Sequence, residues 1–459
     1  MVLILMAGCA SVSLNTGFAD VSASVKDRAG MVIDWSDGVE LDHVVEEQVR
    51  ALLKNELTSD RAVQVALLNN REMQVLCSEL GIAQADLVQA GLLRNPVFDA
   101  AVTFPVSGGR TDLELTAVMN FLEVLYLPLR KRVAAARFEE TKLRVTGSVL
   151  DFAGDVRRAF YFHQANEQML ELRRTIAAGL KSSLLVAEKL YQAGNISDLD
   201  FARQRAQLEN GKLALRSGEA AVSQSREQLN LLLGLWGSNT QWAIDKHLPE
   251  VPIQPPQTEQ IERASIEKSL ELQSAKQRVI TAGEQLGLAQ STVLMPEWGI
   301  GARGERQDGP WSAGPIFELP IPLFDQGQAR TGRAAAELRR AQREYYATAV
   351  RVRASARAAR DRLQSAHDRA LYFRDILLPL QERIVNEAQL QYNAMQLGVF
   401  ELLRAREQQI EAGVAYVGAL RDYAIAASDL AQLMSGRLPQ SNTSQPAPFQ
   451  ARADDSEGR

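Results

Sequence analysis

The chain has 459 residues, a net charge of -5, 23% charged side chains of mixed sign, and two cysteines, Cys9 and Cys77. Mixed charge without a basic stripe argues against a nucleic-acid binder. The two cysteines are too few for a disulfide framework and too widely spaced for a zinc motif. No stretch of about 18 consecutive apolar residues marks a transmembrane helix.

The N-terminus opens with Leu3-Ile4-Leu5-Met6-Ala7-Gly8 directly before Cys9. This resembles the end of a bacterial lipoprotein signal, with residues 1–8 as its remnant and Cys9 as the lipidated residue, whose acyl chains would hold the chain to a bilayer. No Lys or Arg precedes the apolar run, as a signal n-region requires. The alternative is a buried cysteine in an ordinary apolar N-terminus. Residues 9–40 are expected to form an extended leader.

The body, from about residue 41, reads as two copies of one plan, 41–247 and 260–436, separated by a proline-rich linker at 248–259. At a shift of about 200 residues, Tyr191, Ala193, Asp200, Arg203 and Gln207 meet Tyr392, Ala394, Glu401, Arg404 and Gln408, the mark of a tandem duplication. A helical pattern from about His43 to Gly91 leads into a hairpin at 97–121. There Phe98, Ala100, Val102, Leu113, Leu115, Ala117 and Met119 alternate with Asp99, Thr103, Asp112, Glu114 and Thr116. Such strands suit either a membrane-crossing sheet, apolar face to lipid, or a half-buried hairpin on a helical protein. A long helix is predicted over 129–193, with Val145, Val149, Phe152, Val156 and Phe160 stepping by three or four. At 1.5 Å per residue it spans roughly 98 Å. Gly194 and Ser197 then suit the C-cap and the next N-cap, and a return helix follows over 198–235.

The second copy predicts a helix over 260–294, a hairpin over 297–323, a long helix over 329–394 and a return helix over 399–434. Both return helices carry seven-residue periodicity: Phe201, Leu208, Leu215, Val222 and Leu229 in one, and Ala405, Ala412, Ala419, Ala426 and Leu433 in the other. Bulky and small residues alternating at that spacing let helices approach as in coiled coils. Residues 437–459 look disordered. The expected fold is mainly α with a small β part: duplicated long-helix hairpins and four strands per chain. Four strands cannot close a barrel, since single-chain outer-membrane barrels begin at eight. If these strands span a membrane, an oligomer is required.

Chemistry is sparse. Gly299-Ile300-Gly301-Ala302-Arg303-Gly304 matches the dinucleotide fingerprint in letters, but a strand follows it where a helix should open. His43, His163, His247 and His367 have no partners at metal-ligand spacing. Neither a cofactor, a metal nor a catalytic set is expected.

Leu93-Arg94-Asn95-Pro96, the run Leu190-Tyr191-Gln192-Ala193-Gly194-Asn195-Ile196-Ser197-Asp198-Leu199-Asp200, and Pro320-Ile321-Pro322-Leu323-Phe324-Asp325-Gln326-Gly327 resemble the outer membrane efflux protein (TolC) family over roughly residues 40–436. The resemblance implies a homotrimeric channel-tunnel in the Gram-negative outer membrane, with a 12-stranded β-barrel, a periplasmic α-barrel and an equatorial girdle. It implies partnership with a periplasmic adaptor protein and an inner-membrane RND-type pump, and no reaction of its own. The family's Gly-x-x-Ser/Thr-x-x-Asp tip motif maps to Gly194, Ser197 and Asp200; the second copy offers Gly398 and Glu401 without a hydroxyl. Asp198, Asp200 and Glu401 are candidates for a pore constriction that favours cations through their summed field. Metal ions and drugs are both open as substrates, and the alternative function is a periplasmic coiled-coil scaffold or adaptor lipoprotein that never spans the membrane.

Overall fold

The computed structural model describes residues 16–33, 39–104, 111–120, 123–254, 260–294, 299–306, 309–318 and 323–439. Cys9 lies outside the described residues, as do residues 255–259 of the linker and everything from residue 440 on.

The architecture is mainly helical with one small sheet. Helix α1 (Phe18–Ala29) lies where an extended leader is expected. Its buried stripe, Val21 and Val25, is too short to declare itself, yet both are sealed in a core with Val145 and Val149, against which Phe18 and Ala29 also pack. The helical pattern expected from His43 to Gly91 is divided into α2 (Val39–Leu53), α3 (Ser59–Asn69) and α4 (Arg71–Ala90). Thr58 and Asn70 make the breaks by capping: Thr58 Oγ1 accepts from Arg61 N and Asn70 Oδ1 from Glu72 N. The helix expected over 260–294 is likewise divided, into α7 (Ile261–Lys268) and α8 (Leu270–Leu294), because Ser269 Oγ accepts from Leu272 N.

Each copy sends out one very long helix and one return helix. α5 (Glu123–Gln192) runs 70 residues, roughly 105 Å, and α6 (Asp198–Leu233) returns 36 residues alongside it. α5 starts earlier than the sequence suggests and carries Pro128 as its sixth residue, which removes one backbone bond near the helix start without ending the helix. In the second copy α9 (Gln328–Tyr372) passes through a π turn at Phe373–Leu377 into α10 (Leu378–Asn393), and α11 (Val399–Met434) returns. Pro379, which has no N–H to donate, follows that turn directly, so the extra residue is absorbed there without ending the helix.

Small residues set the spacing of the rods. A Cβ at Gly211 would lie 2.5 Å from Leu180 Cδ1, and one at Gly218 would lie 3.1 Å from Arg173 Cδ, so the glycines let α6 approach α5 closely. On α11, Ala405, Ala419, Ala426 and Leu433 of the expected heptad positions are buried and Ala412 is partly buried.

The main core sits midway along the molecule, where Leu57, Leu67, Leu80, Val149, Val156, Phe160, Leu229, Leu233 and Trp242 cluster. There the start of each repeat docks onto the end of its own return helix. Asn69 Nδ2 donates to the Leu233 and Gly234 carbonyls, and Asn70 Nδ2 to those of Leu231 and Leu232. The second copy reproduces the joint through Leu270 N donating to Gly436 O at 2.8 Å. Arg28 of α1 donates to the Lys268 and Ser435 carbonyls, tying the leader to that second joint. A buried ion network joins α5 to α11: Asp429 accepts from Arg158 at 2.8 Å and from Arg362 at 3.4 Å. The segment expected to be disordered from residue 437 begins instead with Arg437 paired to Asp151 and Glu271, which holds residues 437–439 against the helices.

The strands are β1 (Val97–Thr103), β2 (Asp112–Asn120), β3 (Gly299–Arg306) and β4 (Ser312–Glu318), within the expected hairpins. They form one antiparallel sheet in the order β1-β2-β3-β4, so the two hairpins join through β2 and β3.

Candidate functional site

The register decides the chemistry of the sheet. Directly opposed residues share a face, and the pairs Phe98↔Ala117, Ala100↔Leu115, Met119↔Ile300, Ala117↔Ala302 and Ile300↔Phe317 put most apolar residues of the four strands on one side, with Val97, Val118 and Ile316 in one row across the other. Only Arg306, at the strand end opposite Leu113, breaks that face. Phe98, Val102, Ile300 and Phe317 are exposed there in the single chain. The opposite face carries Asp99, Thr116, Arg303, Glu114, Glu305 and Ser312, with Arg303 bridged to Glu114 at 2.9 Å. One face therefore suits hydrocarbon and the other water.

Gly301 lies in the middle of β3, where a Cβ would run into the Ala117 carbonyl and the Val118 side chain. The glycines of the apparent dinucleotide fingerprint thus serve close strand pairing. Among the described residues the outer edges of β1 and β4 have no strand partner.

At the far end of the rods the two tips differ. In the first, Gly194 takes φ 72°, Gly194 N donates to Tyr191 O, and Asn195 N donates to Leu190 O, closing the C-terminus of α5. Ser197 caps α6: its Oγ accepts from Asp200 N at 3.2 Å and donates to the Asp200 carboxylate at 2.7 Å. The structure therefore brings Gly194, Ser197 and Asp200 into one cap. Tyr191 stacks on Phe201 with ring centroids 4.9 Å apart, and its hydroxyl bonds Asp198, which raises the Tyr191 pKa.

In the second tip Met395 occupies the left-handed position at φ 60°, where the first has glycine. Gly398 is the N-cap, with no side chain to bond the helix, so it is the counterpart of Ser197. Glu401 N reaches the Gly398 carbonyl instead. Nothing in the local sequence marks Met395 as left-handed.

Asp198 and Glu401 are exposed, whereas Asp200 is half-buried and already engaged by Ser197 and, at 3.5 Å, by Arg203. The two hairpins lie side by side, with Leu180, Ser183 and Gln204 of one and Phe400, Leu403 and Glu407 of the other lining a small cavity of about 60 Å³. Burial first, then Glu411, raises the Glu407 pKa there. Sequence reading missed Glu407 and the Asp429 network, although acids inside an otherwise apolar heptad helix were a usable signal.

Two histidines lie beside the segment that joins the repeats. His163 and His367 are both buried, and His367 Nε2 lies 2.9 Å from the Pro252 carbonyl, so its helix holds the linker that joins the repeats. Gln164, beside His163, donates to the Asp245 and His247 carbonyls of the same segment. No group of His, Cys, Asp and Glu able to hold a metal occurs among the described residues.

No protein-family model matches the chain. It is 22% identical over 386 residues to the cobalt-zinc-cadmium resistance protein CzcC of Cupriavidus metallidurans, covering 82% of this chain and 90% of that one. A membrane protein from Pseudomonas aeruginosa superposes with TM-score 0.68 at 17% identity, over 84% of this chain and 92% of its own. CusC, whose structures concern transmembrane channel formation, gives 0.67 at 15% identity, over 83% and 92%. The outer membrane protein VceC from Vibrio cholerae gives 0.66 at 16%, over 83% and 97%. The chain has the TolC-like fold of outer membrane channels, and the resemblance drawn from its sequence is borne out.

Proposed function

We propose that three copies of this chain form the outer-membrane exit duct of a tripartite, RND-type efflux system. The observation that carries the reading is the sheet: four strands with one face apolar except for Arg306 at its end, two unpaired edges, and helices of roughly 100 Å leading away from its base. A four-stranded sheet in hydrocarbon leaves two rows of backbone groups without partners, which only closure removes. Three copies supply twelve strands, each β4 pairing with the β1 of the next. The polar face then lines a passive conduit, and the long helices continue it into the periplasm.

Docking of a periplasmic adaptor, and through it of an inner-membrane pump, is assigned to the tips. The first tip, with Gly194, Ser197 and Asp200, is the stiffer, because glycine and the side-chain cap both favour its geometry. The second, at Gly398 and Glu401, has neither device. Similarity to a cobalt-zinc-cadmium resistance protein supports metal cations as cargo over drugs. Lipidation of Cys9 would add a second hold on the outer membrane.

The test is conductance of the detergent-purified full chain in planar bilayers. Stepwise, cation-selective openings are expected, with selectivity reduced in an Asp198→Asn/Asp200→Asn variant. A water-soluble protein that forms no openings would establish the scaffold alternative. Unchanged selectivity in the variant would remove these two acids from the constriction.

A further inference from the structure

A cavity of about 1670 Å³ lies where the sheet meets the helices, between α4, α5 and α8. Its wall holds six arginines, Arg94, Arg130, Arg137, Arg144, Arg278 and Arg330, against four carboxylates, Asp86, Glu123, Glu140 and Asp325. Counting Glu79, which meets Arg144 from outside the wall, the excess is one positive charge, and uneven pairing leaves it on a few of the arginines. Arg94 takes Glu123 at 3.0 Å and Arg278 takes Glu140 at 2.8 Å, while Arg144 is met by Glu79. Asp325 is occupied in accepting from Gly327 N at 2.8 Å. Arg137 and Arg330 have no ion pair among the described residues, and Arg130 stands 3.8 Å from a Glu123 that Arg94 already engages.

A second observation points the same way. Arg130 Nε and one of its terminal nitrogens are out of contact with solvent and donate no hydrogen bond. A buried, unbonded guanidinium nitrogen carries a desolvation cost that only an acceptor relieves. The two long helices α5 and α9 both begin beside this cavity, at Glu123 and Gln328, so their positive ends add to the field.

We propose that this cavity is an oxyanion site of the phosphate class, centred on Arg130 with Arg137 and Arg330 as its outer clamp. Arg130 and Arg137 are one heptad apart on α5 and both line the cavity, so both planar forks are available to an anion within it. The level of the cavity, just below the sheet, suits either a phospholipid head group or a free phosphorylated solute. The proposal goes beyond the duct reading and does not depend on the cargo.

The experiment uses the full chain in detergent and two probes. The first is inorganic phosphate, titrated against chloride at matched ionic strength and followed by melting temperature. The second is phosphatidylglycerol retained through purification, counted by native mass spectrometry. Wild-type protein is expected to respond to at least one, and Arg130→Gln and Arg137→Gln to weaken that response by about tenfold or more, the scale of a lost charged hydrogen bond. Arg340→Gln, on the exposed face of α9 outside the cavity, should leave it unchanged. A phosphate response identifies a free anion; lipid retention without one identifies a head group. The proposal is overturned by no response to either probe, or by equal losses in Arg340→Gln, which would mean a diffuse charge effect. Arg137→Gln keeps the test sound if Arg130→Gln disturbs folding, since Arg137 is exposed.

Discussion

A cysteine pair at Thr103 and Glu318 should join neighbouring copies through a disulfide. The internal seam β2–β3 connects the second strand of one repeat to the first strand of the next, and a seam between copies would connect β4 to β1 in the same relation. The hairpin registers Val97↔Val118 and Gly299↔Glu318, with Pro96 set against Pro296, translate the internal pair Thr116↔Arg303 into Glu318↔Thr103. Both residues lie on the polar face, as a shared register requires; a one-residue slip would put them on opposite faces.

The driving force follows from the edges. β1 and β4 each have seven residues, and about half of their backbone groups point outward. At roughly 2–7 kcal/mol for each unmet group in an apolar medium, an open edge costs on the order of 10–50 kcal/mol. Oxidation of outer-membrane fractions should therefore give reducible species at two and three times 50.6 kDa on a non-reducing gel. Opposed strand residues sit within the Cα spacing that a disulfide spans. Thr116→Cys/Arg303→Cys, opposed within one chain, serves as the positive control, and Val102→Cys/Glu318→Cys as the slipped one. If the slipped pair crosslinks as well as the matched pair, or only the internal control oxidises, the closure argument is refuted.

Burial first, then Arg226, lowers the His163 pKa from 6.5 to about 4. Folded His163 stays neutral while the unfolded chain takes up a proton as pH falls through 6.5, so stability should decline below that pH and level off near 4. The loss is about 3 kcal/mol, and denaturation midpoints of His163→Gln should show a flatter pH profile. Asp429→Ala leaves Arg158 and Arg362 without their shared buried partner and should destabilise the chain by about 3 kcal/mol in chemical denaturation, the scale of a broken buried pair. Met395→Gly relieves a left-handed methionine that is 95% exposed and should stabilise the second tip by about 1 kcal/mol. Slower amide exchange over residues 390–400 would record it, and Gly398→Ser should add a few tenths through a new cap.

Period and punctuation were written locally. The duplication, the alternation of both hairpins, the heptads of α6 and α11 and the Gly194/Ser197 cap depend on neighbours within a few residues, so the chain alone determined them. Contacts between distant segments decided the rest. Asn70 and Ser269 look like polar residues inside continuous helices, and they become breaks because the ends of α6 and α11 meet the chain beside them. α1 exists as a packed helix because α5 offers two valines a place to hide. The pairing of β2 with β3, which turns two hairpins into one sheet with a single apolar face, joins residues nearly 200 positions apart. No local preference encodes such a pairing, since its free energy appears only when both surfaces arrive together.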